Sequence, residues 1–476
     1  NPTVYGTSVV FSVRVQSTAS GTPTGTVTLL DGATSIGSAA LPAGGTAQFT
    51  INNPAIGAHS ISASYAGDTN FAGSTSAIVT ETVNQASTTT TVTSSVNPSA
   101  FGQSVTFSVK VQPSSGSTPT GTVTLLDGGN SIGSAALPAG GTVQFTTGNL
   151  STGSHSITAT YGGDSNFSGS TSGALGQAVS QAGTNTVVSA NVNPSAYGQA
   201  VTFTANVGSP FGGSPTGTVT FFDGGAQLGS ATVTGGVARL TTAATGLSAG
   251  THTITASYGG DANFAASTSA GWSQIVNAAA TTTSLSSNLN PSTLGQTVTF
   301  TATVGSGVSG TQSGTVSFYL DGSGTPAQTS ALSGNAAQYS TSGISGGSHS
   351  VVAVFNSNNG NFQGSSSAGL TQNVKDFSVN DSPSSLTVTH GHSGTTTLTA
   401  TPIVGFTGTV MFSCSGAPAN TTCSLSPNQG TLNGNAANST VTIHSNNKAI
   451  PGSYTITLKG VSGTITHTTS LALTVQ

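Results

Sequence analysis

The chain repeats itself, and the repeat fixes the size of the folding unit. Asn-Pro recurs at Asn1-Pro2, Asn97-Pro98, Asn193-Pro194 and Asn290-Pro291, at spacings of 96, 96 and 97 residues. A fixed period of this kind means one unit folded several times over. An Asp-Gly pair closes an apolar run at Leu30-Asp31-Gly32, Leu126-Asp127-Gly128, Phe222-Asp223-Gly224 and Leu320-Asp321-Gly322. A Gly-Asp-x-Asn-Phe turn ends at Phe71, Phe167 and Phe264, and the fourth copy reads Asn359-Gly360-Asn361-Phe362. The boundaries expected are 1–85, 86–181, 182–277 and 278–375 for four repeats, with a different segment at 376–476.

Within a unit the apolar residues alternate. Val105, Phe107, Val109 and Val111 have period 2, as do Val143 with Phe145, and Ile157, Ala159 and Tyr161. Such alternation, rich in Val, Thr and Phe, reads as strands buried on one face. No segment carries a helical period. Gly, Pro, Asn and Ser punctuate the strands every 8–12 residues, which is sandwich spacing. The fold class expected is all-β: five tandem immunoglobulin-like antiparallel β-sandwiches forming an extended rod, with about seven strands per unit.

The unit resembles the tandem Ig-like repeats of large bacterial surface and secreted proteins. The resemblance rests on Asn97-Pro98…Gly102-Gln103, on Thr120-Gly121-Thr122-Val123…Asp127-Gly128, and on Gly153-Ser154-His155-Ser156-Ile157…Tyr161-Gly162-Gly163-Asp164-Ser165-Asn166-Phe167. It covers residues 1–375. The last segment, with Phe377-Ser378-Val379 and Gly405-Phe406-Thr407-Gly408-Thr409-Val410 leading to Cys414 and Cys423, is similar to a second Ig-like type that follows such arrays. The resemblance implies a domain type and no particular function, because sandwiches of this kind host many roles.

Composition narrows the function classes. Charged residues are 3% of the chain and the formal net charge is −4, against roughly 25% charged in an ordinary domain. No basic footprint exists for nucleic acid, and no apolar run is long enough for a membrane-spanning helix. So few ionisable groups predict a weak dependence of stability on pH and a surface that permits self-association. Cys414 and Cys423 enclose eight residues, Ser415 to Thr422. They read as one local disulfide in an oxidising compartment, contributing on the order of 2–3 kcal/mol. Extracellular or cell-surface localisation follows. No secretion leader stands at Asn1, so a leader has been removed or lies outside this chain.

Two features concern assembly. One unit's last strand runs almost directly into the next unit's first, with no flexible linker. The first copy has no residues before Asn1 to form the strand that precedes Asn-Pro in the others, as Thr88 to Val96 do in the second. Either the array is longer than this chain, or another molecule supplies the strand. Leu471, Leu473 and Val475, alternating at the end of the chain, are a candidate donor strand.

Candidate sites reduce to structure. Asp68, Asp164 and Asp261 are turn residues, and Asp31, Asp127, Asp223 and Asp321 sit in Asp-Gly hairpins, where Asp bonds its own backbone. His59, His155, His252 and His349 share one repeat position and read as neutral, backbone-bonded histidines. Zinc needs three or four ligands that a single His per repeat does not supply. His390-Gly391-His392 reads as a loop. Asp376, Asn380 and Asp381 are a weak candidate for a cation. Trp272 aligns with Val79, Leu175 and Leu370 and reads as core, and Lys110 as solvent-facing. Five Asn-x-Ser/Thr sequons, at Asn149, Asn166, Asn380, Asn420 and Asn438, are background in so Ser/Thr-rich a chain. No catalytic constellation, cofactor motif or metal set stands out. The function expected is non-enzymatic: a stalk or filament subunit that self-associates or attaches to a cell surface. Strand donation into the first repeat would be the joining step. The alternative is an adhesin or carbohydrate-binding segment with glycan partners.

Overall fold

The computed structural model describes residues 1–476, and every regular element in it is a strand. The second repeat shows the pattern most fully. One sheet orders its strands Ser99–Ala100, Leu175–Ser180, Gly153–Tyr161, Thr122–Asp127 and Asn130–Ala136, with Ser170–Thr171 added to Gly153–Tyr161. The other is Thr88–Ser94, Val105–Pro113 and Thr142–Thr147. The unit therefore has nine strands, more than the seven of the sequence reading. The excess is two-residue strands such as Ser99–Ala100, too short to show alternation.

Alternation decides which side chains meet. Phe107 and Val109 on one sheet face Val123, Leu125, Ile157, Ala159 and Tyr161 on the other, all of them buried in one cluster. The first parallel pairing, Ser99 with Val179, carries the chain from one sheet to the other directly after a cis Asn97–Pro98 bond. The fourth repeat reproduces the arrangement, with Thr281–Ser287, Val298–Ser306 and Ala336–Thr341 in its second sheet. The first repeat differs: its second sheet contains only Val9–Arg14 paired with Thr46–Ile51.

By packing, the chain divides into two compact units. One comprises residues 1–189, 204–240 and 255–271, and the other 190–203, 241–254 and 272–476. The third repeat contributes strands at the equivalent positions to both.

The segment 376–476 is also a two-sheet structure. Its five-stranded sheet runs Ser385–Val388, Ile465–Val475, Gly452–Ser462, Thr407–Ser415 and Gln429–Asn433. Its other sheet begins on a strand it shares with the fourth repeat. Leu370–Ser382 pairs with Gly347–Ser357 through residues 370–374 and with Ser393–Ile403 through residues 376–382. Gln372 and Val374 point into the fourth repeat, whereas Phe377 and Val379 point into the last segment's core.

Candidate functional site

The residues that the repeat places most regularly form the joints between repeats. Each Asn-Pro-x-x-aromatic-Gly turn ends in a ring that reaches the next repeat. Tyr5 meets Phe167 edge-on at 5.5 Å between ring centres, Phe101 meets Phe264 at 5.5 Å, and Tyr197 meets Phe362 at 5.3 Å. Edge-to-face contact at this distance is the favoured aromatic geometry. The receiving Phe ends the Gly-Asp-x-Asn-Phe turn in the second and third repeats and Asn359-Gly360-Asn361-Phe362 in the fourth, so the turn is a socket as well as a loop.

The Asp of the turn builds the socket. Asp164 Oδ1 accepts the backbone N–H groups of Asn166 and Phe167 at 2.8 and 2.9 Å. Its Oδ2 accepts the Thr120 N–H at 2.8 Å and the Thr120 hydroxyl at 2.7 Å. Asp68 and Asp261 repeat the set with Thr24 and Thr216. Burial alone would raise the Asp261 carboxyl. The Thr216 hydroxyl and N–H, with the turn's own N–H groups, outweigh that and hold it at about 2. Asp164 is lowered by the same balance. Asp68 is lowered chiefly by the Thr24 and Asn70 N–H groups. Glycine is required beside it: at Gly121, with φ +97°, a Cβ would stand 2.7 Å from the Gly163 carbonyl.

The connecting residue is pinned to the same socket. Ala86 donates its N–H to the Asn166 carbonyl at 3.0 Å and accepts from Ser168 at 2.9 Å. Ala182 and Ala279 do the same at Asn263 and Asn361. At the last joint Leu294 takes the aromatic position and packs on the core of the final segment.

The histidine of each repeat is held by acceptors. His155 Nδ1 is 2.7 Å from Asp127 Oδ2, and its Nε2 is 2.8 Å from the Ser151 carbonyl. His59 bridges Asp31 and Ala55 at 2.6 and 2.7 Å, and His349 bridges Asp321 and Ser345 at 2.8 and 2.9 Å. His252 Nε2 is 2.8 Å from the Ser248 carbonyl. The backbone contact was legible, but the Asp partner 28 residues away was not. The Ser151 carbonyl and then Asp127 raise the His155 pKa against burial. The Ala55 carbonyl and then Asp31 raise that of His59. Two acceptors beside a ring favour its protonated form over its neutral one.

A buried Gln ties the strand before Asn-Pro to the sheet. Gln177 Oε1 accepts from the Ser94 hydroxyl at 2.7 Å, and Nε2 donates to the Val96 carbonyl at 3.0 Å. Gln372 does the same with Ser287 and Leu289. In the third repeat the Ser position is Ala190, and Gln274 Oε1 is buried without a partner. In the first repeat the Gln itself is replaced by Glu81, 6% exposed, which accepts from the Thr3 hydroxyl at 2.9 Å.

The first repeat also has an open edge. Val105, Phe107, Val109 and Val111 are fully buried, as are Val298, Phe300, Ala302 and Val304. Their counterparts Val9, Phe11, Val13 and Val15 are only half-buried. The outer edge of Val9–Arg14 is unpaired, and a cavity of about 330 Å³ opens beside it, lined by Phe11, Val13, Leu29, Ile61, Ala63 and Val79.

The remaining sites named from sequence fall as follows. Cys414 and Cys423 form a disulfide between strands Thr407–Ser415 and Thr421–Ser426, which lie in different sheets. Leu471, Leu473 and Val475 are buried in the strand Ile465–Val475, paired on both edges, so the structure does not leave that strand free for donation. Asp376 faces His467 at 2.7 Å, and Asp381 accepts from Thr469 at 2.6 Å, so these acids do not converge on a cation with Asn380. His390 and His392 lie in a turn held by backbone bonds to Ser445 and Gln476. Trp272 is half-buried at the start of its strand, and Lys110 is exposed.

The family model for the bacterial Ig-like domain (group 3) matches residues 1–84, 91–180, 187–277 and 285–375. None of the curated proteins compared with the chain matches it. Among solved structures, the fibronectin(III)-like modules of Clostridium thermocellum CbhA are similar at 17% identity, with a TM-score of 0.18. The match covers 40% of this chain and 93% of that one. Salmonella alpha-2-macroglobulin reacted with methylamine matches at 11% identity and a TM-score of 0.29, over 100% of this chain and 39% of that one. Trypsin-activated alpha-2-macroglobulin from Escherichia coli matches at 10% identity and a TM-score of 0.26, over 100% and 41%.

Proposed function

Because the chain belongs to the bacterial Ig-like domain (group 3) family, we propose that it is a non-enzymatic extracellular scaffold, a stalk or filament subunit whose repeats hold a fixed spacing. The observation that carries this reading is the joint. An aromatic plug and a pinned connecting residue recur at three successive joints, and the socket is Asp-built at the first two. A chain of independent binding modules needs none of these. The low charge supports the reading as well, since copies approach one another with little repulsion. In the filament form, the partners are further polypeptides or a cell surface.

Electron microscopy of the native extracellular material tests this. Uniform rods or filaments with the repeat spacing are expected. Repeats that rotate freely about their joints would overturn the scaffold reading.

A further inference from the structure

The joint at Tyr197 and Phe362 follows the plan of the two before it, except that its socket carries amides where theirs carry a carboxylate. From Tyr161 to Phe167 the turn reads Tyr-Gly-Gly-Asp-Ser-Asn-Phe. From Phe355 to Phe362 it reads Phe-Asn-Ser-Asn-Asn-Gly-Asn-Phe, one residue longer. Two asparagines divide the work of one aspartate. Asn358 Oδ1 accepts the Ser313 hydroxyl at 2.7 Å, as Asp164 accepts that of Thr120. Asn359 Oδ1 accepts the Asn361 N–H at 3.1 Å, as Asp164 accepts that of Asn166. Asn359 is followed by Gly360, where the other turns have Thr69, Ser165 and Ala262.

An asparagine amide is a slow electrophile, and the backbone nitrogen of the next residue is a nucleophile tethered beside it. A side chain on that next residue restricts the conformations in which the nitrogen reaches Cγ, and glycine has none. Gly360 stands in the turn with φ +71°, and a Cβ there would meet nothing within 4 Å. Asn359 and Gly360 are both exposed, so water reaches them. Asn359 Nδ2, the group that has to leave, donates to the Thr311 carbonyl at 3.4 Å, a long bond. The same dipeptide occurs at Asn433-Gly434, but Asn433 ends the strand Gln429–Asn433 and is paired with Thr407.

We infer that Asn359-Gly360 is a self-modification site that alters this joint with age. The Gly360 nitrogen attacks Asn359 Cγ. The N–Cγ bond forms, the Cγ–Nδ2 bond breaks, and the Gly360 proton leaves with Nδ2 as ammonia. Water then opens the cyclic imide. Cleavage of the bond to Cγ gives aspartate. Cleavage of the bond to the main-chain carbonyl carbon gives isoaspartate, whose backbone runs through Cβ and Cγ. Both products gain a carboxylate and lose the amide donor to Thr311. Isoaspartate also lengthens the backbone by one atom just before Asn361. Asn361 holds the joint: its carbonyl accepts the Ala279 N–H at 2.8 Å and its Oδ1 accepts the Ala249 N–H at 2.7 Å. Phe362, beside it, receives Tyr197. Asp164 and Asp261, at the other two joints, have no amide to lose.

The test ages the full chain in neutral buffer beside Asn359→Gln, which keeps an amide but would have to close a larger ring. Peptide mass spectrometry reads the replacement of NH2 by OH, and electron-transfer fragmentation separates aspartate from isoaspartate. Both products are expected at Asn359. Asn433 reacts only when its strand opens, so its conversion is expected to be at least about tenfold slower. Hydrogen exchange of the aged chain is expected to lose protection at Ala249 and Ala279 while Ala86 and Ala182 keep theirs, and aged Asn359→Gln is expected to lose none. No conversion at Asn359, or conversion no faster than at Asn433, overturns the site. Conversion that leaves Ala249 and Ala279 protected overturns the effect on the joint, as does a loss of protection shared by Ala86, Ala182 or the Asn359→Gln chain.

Discussion

At the residue scale, the repeats act as controls for one another. Gln274 Oε1 is a buried acceptor without a donor, because Ala190 stands where Ser94 and Ser287 supply a hydroxyl to Gln177 and Gln372. Ala190→Ser should therefore stabilise the chain by about 0.5–1.5 kcal/mol, the net worth of one hydrogen bond. Chemical denaturation reads the change, and a loss of stability would contradict the assignment. The ionisable residues make a second prediction. His59 and His155 are held above their ordinary value, so their contribution is complete below about pH 6.5 and fades as pH rises through the folded value. Asp164 and Asp261 are held below theirs, so their contribution is complete above about pH 3.9 and fades on acidification, toward about 2 for Asp261. Melting temperature against pH should therefore show a plateau from about 4 to 6.5 with decline on both sides; a maximum at pH 8 would contradict the raised His59 and His155 pKa values. The sequence showed these Asp residues as turn formers and the His as backbone-bonded, both of which are local facts. It did not show the 28-residue pairing of His155 with Asp127, because which side chains meet across strands depends on register. Composition alone suggested flat pH dependence. Few groups titrate, but His59, His155, Asp164 and Asp261 are placed on hydrogen-bonding partners.

At the element scale, the strands were legible and the joints were not. Alternation at Val105–Val111 and Ile157–Tyr161 is enough to place both faces, since side chains on a strand have period 2. The role of Tyr5 was invisible because its partner Phe167 lies in another repeat, and a Gly-Asp-x-Asn-Phe turn reads as punctuation. The joint predicts a separation of effects. Phe167→Ala should cost about 3–5 kcal/mol, the range for an aromatic removed from a core, since Phe167 is buried in the cluster of the second repeat. Tyr5→Ala removes the edge-on pair, worth about 0.5–1.5 kcal/mol beyond buried area, together with the ring's packing on the second repeat's core. Its expected effect on calorimetry is to split the melting of the first two repeats while leaving the second repeat's own transition in place. Unchanged coupling in Tyr5→Ala would mean that the other bonds across the joint carry it: the pinned Ala86, the Gln85 amide on the Asp164 carbonyl and the Ser115 hydroxyl on the Tyr5 carbonyl.

At the scale of the whole molecule, the charge content of 3% leaves little for salt to screen. The melting temperature should shift by no more than a few degrees between 10 mM and 1 M sodium chloride, a range over which the Debye length falls from about 30 to 3 Å; a large drop would reveal a long-range charge network absent from the fold. The tandem plan was readable from the Asn-Pro spacing. The state of the first repeat's edge was readable only as a missing segment. Its chemistry at Glu81 needed the structure, because a Gln-to-Glu difference acquires meaning only where both groups are buried. One strand holds a further consequence. Leu370–Ser382 hands its even-numbered residues Gln372 and Val374 to one core and its odd-numbered residues Phe377 and Val379 to the next. The changeover falls at Asp376 and Phe377, both buried. Such a joint has parity. One residue added between Val374 and Phe377 would turn every later side chain of the strand to the wrong face. Its length is therefore restricted to steps of two, a counting rule that a flexible linker never imposes.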